Sequence, residues 1–357
     1  MRIAFLGDGS LDHIRRWVGY FADQGHEVLL VSFERTDDCP FPARRLHKRL
    51  PTKLLGYLGA LPAVRRELAA FGPDLVNALN VTGYGLIGAM SGIRPLAVTA
   101  LGSDLLVDYP SHAIHRMQAR YTLTRADLVT TDADILARIV SSTGVESERI
   151  LTIYFGVDER IFHPTASDHH GKEGIRPVTI ISTRNHYPIY NLDLLVEAAP
   201  LILEQEEARF ILCGDGPMHA HLERKVDRWG LGERFTFTGM LNPADLAARL
   251  READLYVSTS RSDSTSVSLL EAMASGIPPV VTDIPANREW IEDGVNGLLF
   301  ESDDREELAR AIVTMIRDDS LARSSHKRNL EIITNRGRWR PNLERLETAF
   351  RRLTTTD

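Results

Sequence analysis

The chain has 357 residues, which at roughly 100–200 residues per domain predicts two domains, each long enough to bury its own core. A charged fraction of 25% and a hydrophobic fraction of 43% exclude a disordered or low-complexity chain. The formal charge of −7 argues against nucleic acid as a partner, because phosphate backbones recruit Lys and Arg surfaces.

The opening segment, MRIAFLGDGS, enters a short apolar run and then a Gly-rich turn, too short for a secretory signal. No stretch approaches the ~18 apolar residues of a membrane span. Cys39 and Cys213 lie far apart and build neither a disulfide framework nor a metal spacing. A reduced compartment fits them, so a cytoplasmic protein is expected, with the inner face of the membrane as an alternative station.

Arg2–Gly7 reads as a buried strand. Ile14, Trp17, Val18 and Phe21 then recur at the spacing of one helix face, and Gly25 ends that helix. EVLLVSF is the second strand. Leu75–Leu79, Leu96–Leu101, Leu128–Asp132 and Ile150–Phe155 continue the pattern, with helical stretches between them. These strands are apolar continuously rather than alternately, the signature of a parallel sheet covered on both faces.

Around His163–Pro177 the pattern stops, and the polar segment with two prolines and two glycines reads as a linker. Strands then resume at Val178–Arg184, Arg209–Asp215, Phe235–Gly239, Leu255–Ser260, Pro278–Asp283 and Gly297–Glu301. The fold class is therefore α/β: two Rossmann-like, doubly wound parallel-sheet domains in tandem. An N-terminal domain is expected over 1–165 and a C-terminal one over 178–336. A last helix lies within 337–357, and its spacing leaves its packing partner open, the first domain being one solution. In such sheets ligands sit beyond the carboxyl ends of the strands. Two sheets with those ends facing each other would make a cleft.

Ser258–Asp283, STSRSDSTSVSLLEAMASGIPPVVTD, is the most informative stretch. A strand ends near Ser260, a loop of small hydroxyl residues follows, and a helix begins near Val267. Small side chains let an anion approach the unsatisfied, partly positive N–H groups of a helix start, a site suited to a pyrophosphate. Ser264, Thr265, Ser266 and Ser268 add hydroxyl donors. Glu271, one turn in, has the carboxylate to take two ribose hydroxyls, and Asp263 precedes it by eight residues. The plainer alternative is that Ser268 and Glu271 form a capping box.

This stretch resembles the donor-site motif of family 4 glycosyltransferases of GT-B fold, a Glu-x7-Glu pattern followed by EAMA-G-P-V. Here it reads Asp263-x7-Glu271, then Ala272 through Pro278. The resemblance runs from about Val178 to Phe300, through Cys213–Pro217, Phe235–Gly239, Ala253–Leu255 and Asp293–Phe300. It is looser in the first half, at Gly25–Val28, Pro73–Val76, Gly102–Leu106, Arg125–Val129 and Phe155–Pro164.

The resemblance implies a catalytic group of Asp263, Glu271 and Arg184, with Glu271 on the donor ribose and Asp263, one methylene shorter than the family glutamate, on the sugar or its loop. Arg184 would bind the donor phosphates, for which its planar fork is suited. Gly9, Gly214 and Ser264–Ser268, Val267 included, complete the donor side. The family's phosphate-binding lysine is replaced by Tyr190, and a family histidine near the acceptor by Leu101. Asp104, in the Gly-Ser-Asp turn, faces the acceptor or caps the next helix.

After the first strand, Gly7–Ser10 forms a Gly-rich loop that lets phosphates approach the backbone, but no dinucleotide fingerprint follows it. His13 opens the next helix and is an acceptor-side candidate beside the plainer reading of an exposed histidine. Asp132-Ala-Asp134 resembles an Asp-x-Asp metal motif but begins a helix, where helix-start capping explains both carboxylates. His169-His170 falls in the linker, so neither metal nor cofactor is expected. Ala43–Leu55 is basic with interspersed leucines, which suits peripheral contact with an anionic membrane or a solvated face.

The function so implied is retaining, metal-independent transfer of a sugar from a nucleotide-diphosphate-sugar to an acceptor hydroxyl. UDP-sugar is the favoured donor, and the acceptor is a glycan, a lipid-linked sugar or a small molecule. A degenerate sugar-nucleotide-binding protein and a GT-B nucleotide-sugar epimerase are the alternatives.

Overall fold

The computed structural model describes residues 1–47, 53–164 and 176–355. His169-His170, most of the linker and residues 48–52 of the basic stretch lie outside the described residues. Two compact units result: Met1–Tyr154 with Pro341–Asp357, and Phe155–Arg340.

The first unit contains β1 (Arg2–Leu6), β2 (Glu27–Ser32), β3 (Ala43–Arg45), β4 (Leu75–Leu79), β5 (Leu96–Ala100), β6 (Leu128–Thr131) and β7 (Ile150–Thr152). They form one parallel sheet in the order β3-β2-β1-β4-β5-β6-β7. Central β1 aligns Ile3 with both Val28 and Leu75. Ile3 through Leu6 are buried, as a strand covered on both faces requires. The helix Asp12–Asp23 lays Ile14, Trp17, Val18 and Phe21 against the sheet. β3 went unread because Ala43–Arg45 is a short edge strand with its two arginines exposed, outside the apolar-run signal.

The last helix, Trp339–Thr355, completes this unit from Pro341 onward. Leu343, Leu346 and Phe350 are buried, and Phe350 stacks on Phe21 with ring centroids 5.4 Å apart. The Glu347 carboxylate lies 3.0 Å from His26 Nε2 and accepts from Arg351 Nη2 at 2.6 Å.

The second unit contains β8 (Val178–Ser182), β9 (Ala208–Cys213), β10 (Phe235–Gly239), β11 (Leu255–Ser258), β12 (Pro279–Thr282) and β13 (Leu298–Phe300). Their parallel order is β10-β9-β8-β11-β12-β13. Phe155–Pro164, expected with the first domain, belong here instead. Val157 N donates to Gly337 O at 2.8 Å, and Trp339 N donates back to Val157 O at 3.0 Å. Gly156 sits at φ +64° with space only for hydrogen: a Cβ there would lie 2.7 Å from the Arg338 carbonyl carbon.

In each sheet the strand order reverses once, between β1 and β4 in the first and between β8 and β11 in the second. Ligands of doubly wound sheets bind beyond the carboxyl ends at this switch point.

Candidate active site

In the second unit Arg184 follows β8 and the hydroxyl loop follows β11, on the two sides of the switch point. The helix Val267–Ala274 begins one residue after Ser266. Its cap is Ser266, whose Oγ accepts from Leu269 N at 3.3 Å. The Ser268–Glu271 capping box is thus corrected: Ser268 is already helical, and its hydroxyl turns inward to Tyr256 Oη at 3.0 Å. Glu271 is half-buried one turn in.

Arg184 is buried and ties the loop together. Nη1 donates to Ser266 Oγ and Ser268 Oγ, each at 2.8 Å, and Nη2 donates to Asp263 Oδ2 at 2.7 Å. Asp263 Oδ1 in turn accepts from Ser264 N at 3.1 Å. Burial disfavours the guanidinium charge, but the Asp263 carboxylate more than offsets this and holds the pKa above its ordinary value. Of the five N–H bonds of the side chain, both on Nη1 and one on Nη2 are engaged. Nε is buried with no hydrogen-bond partner. Buried donors are nearly always satisfied, so this one stands out.

Sequence reasoning located Tyr190 but not its contact. The Arg184 guanidinium carbon lies 3.9 Å from the centre of the Tyr190 ring, a cation–π stack. The only advance signal was an aromatic residue six positions after Arg184.

Both glycines assigned to the donor side have structural explanations. Gly9 N donates to Ser32 Oγ at 3.0 Å, and a Cβ at Gly9 would lie 2.9 Å from Arg35 O. Gly214 adopts φ +117°, and its N–H donates to Gly239 O at 2.9 Å. Their N–H groups are spent on the fold.

Among the described residues, one group of three has ligand atoms close enough for a metal: His186, Asp215 and His219. The two Nδ1 atoms stand 3.0 Å apart, a distance that a single N–H···N hydrogen bond explains without an ion. Asp132 and Asp134 fall in no such group among the described residues, but the capping explanation needs correcting. The cap of the helix Asp134–Ser142 is Ala133, which leaves Asp134 in the first turn as a dipole partner.

The switch point of the first unit opens into a cavity of about 560 Å³. Asp8 and His13 beyond β1, Asn80 and Thr82 beyond β4, and Leu101 and Ser103 beyond β5 line it. Although His13 is open to solvent, the surrounding protein desolvates its imidazolium and lowers its pKa, against the opposing pull of Asp8 and Asp12.

Asp104 lies behind this wall, fully buried. Its carboxylate accepts from Val81 N at 2.7 Å and Leu101 N at 3.2 Å, and so pins the loops after β4 and β5. Burial raises its pKa from 3.8 to about 6, although those N–H groups pull the other way. A raised carboxyl pKa means that the folded chain keeps this proton where the unfolded chain has lost it. The group therefore favours folding most below pH 3.8, and that contribution is lost as the pH rises to about 6. Asp104→Asn is expected to flatten this part of the Tm-against-pH curve, measured by differential scanning calorimetry from pH 4 to 7; an unchanged slope would assign it to other groups.

Among the described residues no helix is long and apolar enough to cross a membrane. Residues 2–133 match the family model of glycosyl transferase 4-like proteins, and residues 176–318 match that of glycosyl transferases group 1, together more than three quarters of the chain. N-acetyl-alpha-D-glucosaminyl L-malate synthase of Bacillus anthracis is 26% identical over 265 residues, 73% of this chain and 69% of that protein. GDP-mannose-dependent alpha-mannosyltransferase of Mycolicibacterium smegmatis is 25% identical over 346 residues, 88% of each chain. The crystal structure of Anabaena Alr3699/HepE in complex with UDP shares the fold with a TM-score of 0.82 at 21% identity, covering 99% of this chain and 100% of that one. Two family models in tandem, on two parallel sheets of the matching architecture, show that the chain belongs to the group 1 glycosyltransferases of GT-B fold.

Proposed function

We propose that this enzyme transfers a sugar from a UDP-sugar to an acceptor hydroxyl, with retention of anomeric configuration and without a metal ion. The observation that carries this is the convergence of buried Arg184, Asp263 and the hydroxyl loop beside the start of the helix Val267–Ala274. As the sugar–phosphate bond breaks, negative charge grows on the departing diphosphate. The Arg184 donors, the hydroxyls of Ser264–Ser268 and the first-turn N–H groups are arranged to receive it, and they bind that state more strongly than the ground state. Positive charge from the side chain and the helix end takes the part that a divalent cation plays elsewhere.

In this scheme Glu271 holds the donor ribose. Asp263 balances Arg184 while the site is empty and contacts the sugar or its loop once the donor arrives. The departing phosphate takes the acceptor proton, so no protein base is required. The cavity beside His13 receives the acceptor, a glycan, lipid-linked sugar or small molecule.

The mycobacterial relative uses GDP-mannose by name and the Anabaena protein was crystallised with UDP, so both bases enter the test. UDP- and GDP-sugars are screened for diphosphate release against candidate acceptors, with and without EDTA. The expected result is turnover of a UDP-sugar, unchanged by EDTA, with a retained anomeric proton coupling in the product NMR spectrum. Glu271→Ala is expected to raise the donor KM. Inversion, EDTA sensitivity or a GDP-only donor would each overturn the corresponding part. Donor binding with no release on any acceptor would support a non-catalytic binding protein instead.

A further inference from the structure

We propose that Tyr190 is the positioning residue of the donor site, its ring fixing the plane in which Arg184 faces the diphosphate. This rests on the reading of Arg184 as a phosphate contact.

Three hydrogen bonds hold the Nη1 and Nη2 atoms of Arg184, but none holds Nε. Held by its covalent bond at Nε and by hydrogen bonds at the Nη atoms, the group keeps only a tilt out of its own plane. A ring face 3.9 Å from the guanidinium carbon removes this freedom, because stacking is favourable only when the two planes stay close. The stack uses the face of the guanidinium and leaves the N–H bonds in its plane available, so it orients the donors without consuming one.

The turn that presents the ring is fastened independently of the side chain. Tyr190 ends the short 3₁₀ turn Pro188–Tyr190. Its carbonyl accepts from Thr259 Oγ1 at 2.8 Å, and Ile189 O accepts from Arg261 N at 2.9 Å. Both partners lie just beyond β11, so the turn that carries the ring is tied to the loop that bears Asp263 and the serines. Asn191, next in the chain, takes the left-handed conformation at φ 48° and donates from Nδ2 to Asp303 Oδ1 at 2.8 Å. Removing the ring therefore leaves the backbone turn with all these ties.

Calorimetric titration of Tyr190→Leu, Tyr190→Phe and Arg184→Ala with UDP and with uridine tests this. Leucine keeps bulk but has no π face, and its UDP affinity is expected to fall about tenfold, the size of a partly desolvated cation–π contact. Uridine, which has no phosphate, is expected to bind Tyr190→Leu as it binds the wild type. Tyr190→Phe keeps the ring and is expected to restore UDP affinity to within about twofold. In the NMR spectrum the Arg184 Nε–H signal, assigned by its loss in Arg184→Lys, is expected to carry a ring-current shift that Phe preserves and Leu abolishes.

Equal losses of UDP and uridine in Tyr190→Leu would reduce the residue to a structural role and overturn the inference, as would unchanged UDP affinity. If Arg184→Ala weakens UDP while Tyr190→Leu does not, only the Tyr190 inference fails. If Arg184→Ala binds UDP like the wild type, the donor-site reading itself fails.

Discussion

Arg184→Ala is expected to lower kcat/KM for the donor by about a thousandfold, measured as nucleoside diphosphate release at limiting donor. Loss of one preorganised donor facing a developing anion costs about 10²–10³ in rate. Here the substitution removes the buried Nε–H and the uncommitted Nη2–H together. It also strips the partner from Asp263, whose side chain is only 16% exposed, so a like charge is left facing the incoming phosphates. Arg184→Lys keeps the charge but lacks the fork, and is expected to recover only part of the loss. The double change Arg184→Ala with Asp263→Asn removes the uncompensated carboxylate; it should regain thermal stability without regaining activity. Wild-type donor kinetics in Arg184→Ala would end the assignment.

Phe350→Ala is the substitution expected to cost most in stability. The side chain is fully buried and its ring stacks on that of Phe21, which also lies 5.5 Å from Phe5. Truncating such a residue costs about 3–5 kcal/mol, because lost burial and the remaining cavity add. For a unit of this size that lowers Tm by on the order of 10 °C. Differential scanning calorimetry should show the loss in the transition of the first unit alone. A fall of less than about 2 °C would mean that the last helix contributes little to that core.

Strands were legible wherever an apolar run was continuous, as in Leu75–Leu79 and Leu96–Ala100, because burial on both faces leaves no polar positions to confuse the pattern. Ala43–Arg45 escaped because an edge strand needs only backbone pairing, here with Leu30–Ser32, and tolerates two exposed arginines. The segment from Ser258 to Asp283 declared a helix start beside a hydroxyl loop. Which serine caps that helix was not declared, since Ser264, Ser266 and Ser268 are chemically alike and only the backbone path selects Ser266. The partners of Arg184 come from residues about 80 positions away, and spacing along one chain cannot show that they converge. Asp104 illustrates the converse limit: a carboxylate in a Gly-Ser-Asp turn reads as an acceptor-side or helix-capping group, yet it is fully buried and accepts from two backbone N–H groups.

The last helix belongs to the unit that the ribosome begins first. Phe21 and its neighbours emerge early, but the ring that covers them arrives only after all of 155–340 has been made. At ~5–20 residues per second that wait is about 10–40 s. For this period the nascent first unit shows an apolar notch in the shape of Phe350, while the second unit, one continuous segment, already has every residue it needs to close its sheet. Chaperone capture during translation should therefore fall on the older half of the chain and end as the final helix docks.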